Sequence, residues 1–343
     1  MIDNEQGITV LSLFDGMSCG QIALRELGIN VKTYYASEID KYAIAQTQLN
    51  FPDTVQLGSV TDIRAKDLPK IDLLIGGSPC QGFSIAGKRL NFNDPRSALF
   101  FEFVRVLEEV REQNPDVLFL LENVKMKKQY KDAISEALGL QPVEINSALV
   151  SAQNRVRLYW TNIRTRKVGL FEEVYTDISQ PADRGLLLKD ILQDEVEQRY
   201  YLKEASIKKI ILAERNKANC FRAYIRQPRQ KASCLTVKGK CRRDLVIVHR
   251  RPRLQQGGII EDKAPTLTAN CYEQNNYVVE LTPQNAINLV GRIRRLTPTE
   301  TARLQTIPSW YKWQCSETQQ YKMLGNGWTI EVIKHIFSYI NNK

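Results

Sequence analysis

Over its first 165 residues the chain alternates short apolar runs, rich in β-branched and aromatic residues, with amphipathic stretches, and few folds accommodate that rhythm. The strand-like runs are Ile8–Phe14, Val31–Ser37, Ile71–Ile75, Val117–Leu121, Val143–Val150 and Leu158–Ile163. Helix-like segments separate them at Gly20–Leu27, Lys41–Leu49, Ser97–Gln113 and Lys128–Leu138. In Ser97–Gln113, Phe100, Phe103, Val104, Leu107 and Val110 recur at helical spacing and form one apolar face. Such alternation predicts an α/β fold, with a mostly parallel sheet covered by helices on both sides. Ligands of these sheets bind beyond the carboxyl ends of the strands, so chemistry is expected in the residues just after each strand.

The rhythm breaks near Thr165, and 343 residues leave room for a second, smaller domain. The net charge of +10 is concentrated beyond this break. From Arg199 to Ile260 there are 17 Lys/Arg against 3 Asp/Glu, so the rest of the chain is net acidic. Tyr200, Tyr201, Phe221 and Tyr224 are interleaved with these cations, which favours a polyanion such as nucleic acid over a merely solvated basic face. The segments KASCLTVKGKC (Lys231–Cys241) and KAPTLTANC (Lys263–Cys271) echo each other. Each precedes a strand-like run, Leu245–Val248 and Tyr277–Val279, and the pair predicts a small irregular β domain. Helical pattern returns at Pro298, where Thr297 and Glu300 form an N-capping signature, and again at Thr329–Tyr339.

Seven cysteines in no regular spacing predict free thiols in a reducing compartment, the cytoplasm, and two histidines (His249, His335) leave little for a zinc site. The opening MIDNEQG is polar and acidic, no leader is expected from it, and no apolar run approaches a membrane span.

Each strand end carries a distinctive segment. Ile71–Ile75 runs into GGSPCQGFS, Gly76–Ser84, where Pro79 stiffens the turn and Cys80 stands in a loop instead of inside an apolar run. A packed free thiol is the common meaning of a lone cysteine, and a nucleophile the sharper one. Val117–Leu121 leads to ENV, Glu122–Val124; a carboxylate there needs a partner, as a structural cap, a salt bridge or a catalytic group. In QNRVRLYW, Gln153–Trp160, Arg155 and Arg157 alternate and so share a face of an extended segment. The first strand turns through LSLFDGMSCG, Leu11–Gly20, into a helix, and ASEID places Glu38 at the end of the second, positioned to accept ribose hydroxyls. Neither a GxGxxG nor a Walker sequence occurs, which weighs against dinucleotide and ATP readings.

Together these segments resemble the DNA cytosine-C5 methyltransferase family, whose motifs occur here in family order from residue 11 to 329. DPRSALFFEF (Asp94–Phe103), RRLTPTETARLQTIP (Arg294–Pro308) and YKMLGNGWT (Tyr321–Thr329) complete the set. Gly327–Trp328 departs from most bacterial members, and the FDG opening and Trp328 look more like the animal de novo branch. The resemblance implies a Rossmann-like, class I S-adenosylmethionine-dependent methyltransferase sheet, with a smaller irregular β-rich target-recognition domain inserted before the C-terminal helices. It implies catalytic and cofactor-binding residues 1–165, recognition residues 166–290 and a returning segment 291–343.

By the same resemblance Cys80 is the nucleophile that adds to cytosine C6, Glu122 activates the ring at N3, and Arg155 and Arg157 support the flipped base and the carboxylate. S-adenosylmethionine, leaving as S-adenosylhomocysteine, would be held by Phe14, Asp15, Gly16, Met17, Ser18, Cys19, Gly20, Glu38, Ile39, Val60, Pro79, Leu99, Asn326, Gly327 and Trp328. The adenine contact lies with Ser59, which occupies the family's acidic position, or with Asp62. Double-stranded DNA would meet Gln81, Ser84, Lys88 and Arg89 in the loop after Cys80, and Arg226, Arg229, Lys238, Lys240, Arg242 and Arg243 in the basic segment. A cognate restriction endonuclease is a candidate partner, and no metal is expected. The family's RNA-methylating branch carries a Cys-Phe-Thr signature absent here, and a merely regulatory homologue would not need Cys80, Glu122, Arg155 and Arg157 intact.

Overall fold

The computed structural model describes residues 7–78, 95–201 and 292–340, with short strands at 224–225, 258–259, 264–265 and 277–280. Pro79, Cys80, Gln81, Ser84, Lys88 and Arg89 lie outside the described residues, as do Arg226, Arg229, Lys238, Lys240, Arg242, Arg243 and the expected strand Leu245–Val248.

In chain order the elements are β1 (Ile8–Leu13), α1 (Cys19–Glu26), β2 (Val31–Ser37), α2 (Lys41–Asn50), β3 (Val55–Gln56), β4 (Leu73–Gly76) and α3 (Pro95–Gln113). They continue with β5 (Leu118–Val124), α4 (Lys128–Leu138), β6 (Val143–Asn146), β7 (Gln153–Asn154) and β8 (Val156–Thr161). A hairpin of β9 (Thr165–Val168) and β10 (Glu173–Thr176) comes next, and α5 (Pro298–Leu304), α6 (Glu317–Asn326) and α7 (Ile330–Phe337) come last. The main sheet has the order β3-β2-β1-β4-β5-β8-β6. Its strands are parallel from β3 to β5, and β8 runs antiparallel to both β5 and β6. The sheet is thus mostly parallel, as the alternation predicts.

Period-two alternation sorts the buried side chains onto the two faces. Val10, Leu73, Ile75 and Leu120 point to one face, where they meet Ile22, Ala23 and Leu24 of α1 and Val332, Ile333, Ile336 and Phe337 of α7. Leu11, Leu13, Leu74, Phe119 and Leu121 point to the other, against Phe103, Val106 and Leu107 of α3 and Ile134 and Leu138 of α4. Both faces are covered, so strands buried on two sides are required, and their near-continuous apolar sequence supplies them. The expected strand Val143–Val150 stops at Asn146, whose side chain accepts from the Ala148 N–H and turns the chain into a 3-10 helix, Ser147–Leu149. At α5 the Thr297 hydroxyl accepts from the Glu300 N–H while the Glu300 carboxylate accepts from the Thr297 N–H, the reciprocal cap that the sequence signals. Arg294 grips the same carboxylate with two N–H···O bonds of 2.8 and 2.9 Å, both side chains being buried.

The strand order reverses between β1 and β4, because the chain leaves the β3 edge and crosses to the far side of β1. A crevice opens outside the carboxyl ends there.

Candidate active site

The carboxyl ends of β1 to β5 and the junction between α6 and α7 enclose a cavity of about 590 Å³ at that crevice, within the size range of small-ligand sites, about 300–1,000 Å³. The turn after β1 is unusual: Phe14, Gly16 and Ser18 all adopt left-handed backbone conformations, with φ of 57°, 59° and 65°. Glycine tolerates this freely, whereas Phe14 and Ser18 cost roughly 1 kcal/mol or more each. Surrounding bonds hold the strain. The Asp15 N–H donates to the Ser37 carbonyl (3.1 Å) and the Gly16 N–H to Glu38 Oε2 (2.8 Å). The result is a backbone ledge at the mouth of α1, tied to the end of β2.

Glu38 Oε1 accepts from the N–H groups of Ile39 and Asp40, each at 2.8 Å. With two acceptor sites per oxygen, one site on Oε2 remains for a further donor. Ile39, 78% exposed, stands apolar at the cavity edge. Asp15 is buried, and Tyr34 donates its hydroxyl to Oδ1 at 2.9 Å, while Oδ2 has no hydrogen-bond partner. Burial pushes its pKa up to about 6, against the opposing pull of the Ser12, Ser18 and Tyr34 hydroxyls.

The strand β5 runs on through the ENV segment to Val124. In the antiparallel register Glu122 faces Tyr159 and Val124 faces Arg157. Arg157 is therefore the diagonal neighbour of Glu122 on one face of the sheet. Its Nε lies 2.8 Å from Glu122 Oε1, with both side chains nearly buried. The contact is an ion pair without an aligned hydrogen bond, since Oε1 has no partner of hydrogen-bond geometry. Arg155 sits in the same wall but turns elsewhere, donating to the Gly327 carbonyl (2.9 Å) and weakly to that of Gly325 (3.4 Å). Burial, with Arg157 close by, lowers its pKa to about 10, so it stays charged at neutral pH. Asn123 donates to the Ser78 hydroxyl at 3.1 Å and ties β5 to the segment that leads to Cys80.

Of the residues singled out in the sequence, Phe14, Asp15, Gly16, Met17, Cys19, Gly20, Glu38, Ile39, Ser59, Val60, Leu99, Glu122, Arg155, Arg157, Asn326, Gly327 and Trp328 line this one cavity. Ser18 and Asp62 are not among its lining residues. Ser18 is buried beneath the turn and donates to Gln21, while Asp62 is exposed and accepts from the Thr61 hydroxyl. Gly58, Gly77, Asn123 and Lys322 line the cavity without having been singled out individually. Gly77 carried a signal: a Cβ there would lie 3.0 Å from Trp328 Nε1 and 3.3 Å from Glu122 Oε2, a space only glycine leaves open. Lys322 lay within the quoted Tyr321–Thr329 segment without being marked itself, because it reaches the site by pairing with Asp40 (2.7 Å) from a helix far along the chain.

The sequence matches a family described as C-5 cytosine-specific DNA methylase over residues 8–138 and 145–342. It is 31% identical to the type II methyltransferase M.HpaII of Haemophilus parainfluenzae, across 95% of this chain and 87% of that protein. It is 28% identical to the orphan methyltransferase M.SPRI of Bacillus phage SPR, across 98% and 99%. Among solved structures, the fold is shared with the Entamoeba histolytica methyltransferase EhMeth, at a TM-score of 0.66, 16% identity and 98% coverage of both chains. A mutant of Spodoptera frugiperda DNMT2 superimposes with a TM-score of 0.62 at 18% identity, over 98% of this chain and 100% of that one.

Proposed function

The chain belongs to the C-5 cytosine-specific DNA methylase family, and from that premise we propose a covalent mechanism in which Cys80 attacks a cytosine flipped out of double-stranded DNA. The observation that carries the catalytic half is the Glu122–Arg157 ion pair in the wall of the cavity. Cytosine C6 is a poor electrophile until charge is drawn from the ring at N3. A ring brought to Glu122 finds an acceptor for its exocyclic amine and, once the carboxyl carries a proton, a donor for N3. Arg157 holds the carboxyl in place while that proton moves. Addition of the Cys80 thiolate to C6, with the Glu122 proton passing to N3, makes C5 nucleophilic. Once C5 has accepted the methyl group, loss of the C5 proton to a base expels Cys80 as thiolate, and N3 returns its proton to Glu122 as the aromatic ring is restored.

The same cavity suits S-adenosylmethionine, a ligand with cationic centres and ribose hydroxyls, because Asp15, Glu38 and Glu122 all line it and Glu38 keeps one acceptor site. When bound, that cofactor supplies an electrophilic methyl group on a sulfonium. The ledge Phe14–Met17 with Cys19 and Gly20 would hold its amino-acid part, Glu38 and Ile39 the ribose, and Ser59 and Val60 the adenine, with Leu99 and Trp328 closing the space. Ser59 is preferred over Asp62 because only Ser59 is among the lining residues.

The division into residues 1–165, 166–290 and 291–343 accompanies this reading, with the basic middle segment and the loop of Gln81, Ser84, Lys88 and Arg89 as the DNA-contacting parts. The relatives named type II methyltransferases support a restriction-modification setting, with a cognate endonuclease as partner and the cytoplasm as location. No helix among the described residues is long and apolar enough to cross a membrane.

Two measurements test the reading. Bisulfite sequencing of DNA from cells expressing the chain is expected to show protected cytosines in one sequence context; none protected refutes it. Glu122→Gln is expected to lower kcat about 10²–10⁴-fold while cofactor affinity changes little; equal losses in both would make Glu122 structural.

A further inference from the structure

Gln305 comes directly after α5 and is fully buried. All the hydrogen-bonding capacity of its side chain is used. Nε2 donates to the carbonyls of Leu324 (2.6 Å) and Gly327 (3.2 Å), and Oε1 accepts from Thr329 Oγ1 (2.8 Å) and Gln153 Nε2 (3.1 Å). The backbone joins in. The Gln305 carbonyl accepts from the Ile330 N–H (3.0 Å), and Thr306, held at φ 55°, accepts the Glu331 N–H on its hydroxyl (3.0 Å). One residue thereby closes the carboxyl end of α6, receives the first turn of α7 and grips the connection between them. That connection carries Trp328, which lies against Gly77 and beside the Glu122 carboxylate: a Cβ on Gly77 would stand 3.0 Å from Trp328 Nε1 and 3.3 Å from Glu122 Oε2.

The Gly327 carbonyl is also the acceptor of Arg155 Nη2. Two independent donors, from chain segments 150 residues apart, thus converge on the same peptide oxygen. Gln153, Arg155 and Arg157 are consecutive alternate residues across β7 and β8, so the network continues from the Trp328 turn to the partner of Glu122. An apolar side chain would serve if the position needed only to be filled. A saturated buried amide fixes the peptide planes around it, because any displacement leaves a donor or acceptor unpaired.

Taking the cavity as the cofactor pocket, we propose that Gln305 is a positioning residue for methyl transfer: it sets where Trp328 lies against Gly77 and the Glu122 carboxylate and locks that setting to the strand segment bearing Arg155 and Arg157. Gln305 does not line the cavity, so it acts through the residues it holds.

The test compares Gln305→Met, which keeps the volume and loses the four bonds, with Asn114→Ala. The control removes a different buried bond, from Asn114 Nδ2 to the Ile71 carbonyl, at the opposite end of the strands. The dissociation constant for S-adenosylhomocysteine is measured by titration calorimetry on each purified chain, with its melting temperature. Gln305→Met is expected to weaken binding about tenfold or more, and Asn114→Ala to melt earlier with wild-type affinity. Equal affinities in all three chains, or equal losses in both variants, would overturn the proposal. If Gln305→Met fails to fold, Thr329→Val, which removes one donor to Oε1, takes its place. It is expected to weaken binding several-fold, and wild-type affinity there overturns the proposal too. Failure of the wild-type chain to bind the ligand would instead refute the assignment of the cavity.

Discussion

Asp15 shows how a single residue at the site opposes the stability of the fold. Its pKa is raised to about 6 by burial, so the folded chain holds a proton that the unfolded chain releases near pH 4. The folded state is therefore favoured at this residue below about pH 4, and that advantage is lost as pH rises through 6, a cost of about 3 kcal/mol at neutral pH. Asp15→Asn keeps an acceptor for the Tyr34 hydroxyl and carries no charge. The variant is expected to melt several degrees above the wild type at pH 7.5 and level with it at pH 4; an equal gain at both pH values would show that the charge is not responsible. The sequence made Asp15 and Glu38 legible, because each lies just past an apolar strand next to glycine or a turn. Arg155 was legible as a site residue but not in its bonding, since its acceptor Gly327 lies 172 residues away. Gln305 lay inside the quoted segment Arg294–Pro308, but nothing local marked its bonding, as every partner of its side chain comes from another element.

Among the elements, β5 and β8 do most to assemble the cavity wall that carries Glu122 and Arg157, and Gly77 after β4 leaves the gap beside it. The extension of β5 past Leu121 was hidden in sequence: Glu122 and Asn123 are poor strand residues, kept extended by pairing with Tyr159 and Leu158. The reversal of β8 was hidden as well, for an apolar run has no direction until its neighbours are known. β3, two residues long, is too short for any periodicity. What was legible was the alternation itself, because strands buried on both faces must be apolar throughout. At this scale the expectation concerns Gly77→Ala. Its methyl group would stand 3.0 Å from Trp328 Nε1 and 3.3 Å from Glu122 Oε2, both closer than ordinary van der Waals contact, so those side chains must give way by a few tenths of an ångström. The turnover number is expected to fall about tenfold with little change in melting temperature. Unchanged turnover would mean that the gap is not needed for catalysis.

For the whole molecule, charge and fold divide the labour. The cavity, lined by carboxylates and cations in nearly equal number, lies at the strand ends of the α/β sheet, while the excess of Lys and Arg falls between Arg199 and Arg253. DNA affinity is expected to fall steeply with salt, and replacing Arg242 and Arg243 by glutamine to reduce the slope of log K against log salt by about 2. A slope unchanged in that variant would remove both residues from the phosphate contacts. The composition revealed this division, whereas the target sequence depends on groove geometry that no residue count encodes. Covalent methylation through Cys80 would draw on all of these parts. It is tested most directly by incubating the chain with S-adenosylmethionine and duplex DNA bearing 5-fluorocytosine in its target, then mapping the adduct by peptide mass spectrometry. With fluorine at C5 no proton can leave, so the sulfur–C6 bond must persist after transfer. The account predicts one adducted peptide, containing Cys80 and a methylated fluorinated base. Methylation of ordinary target DNA without such an adduct, or an adduct on another cysteine, would contradict it.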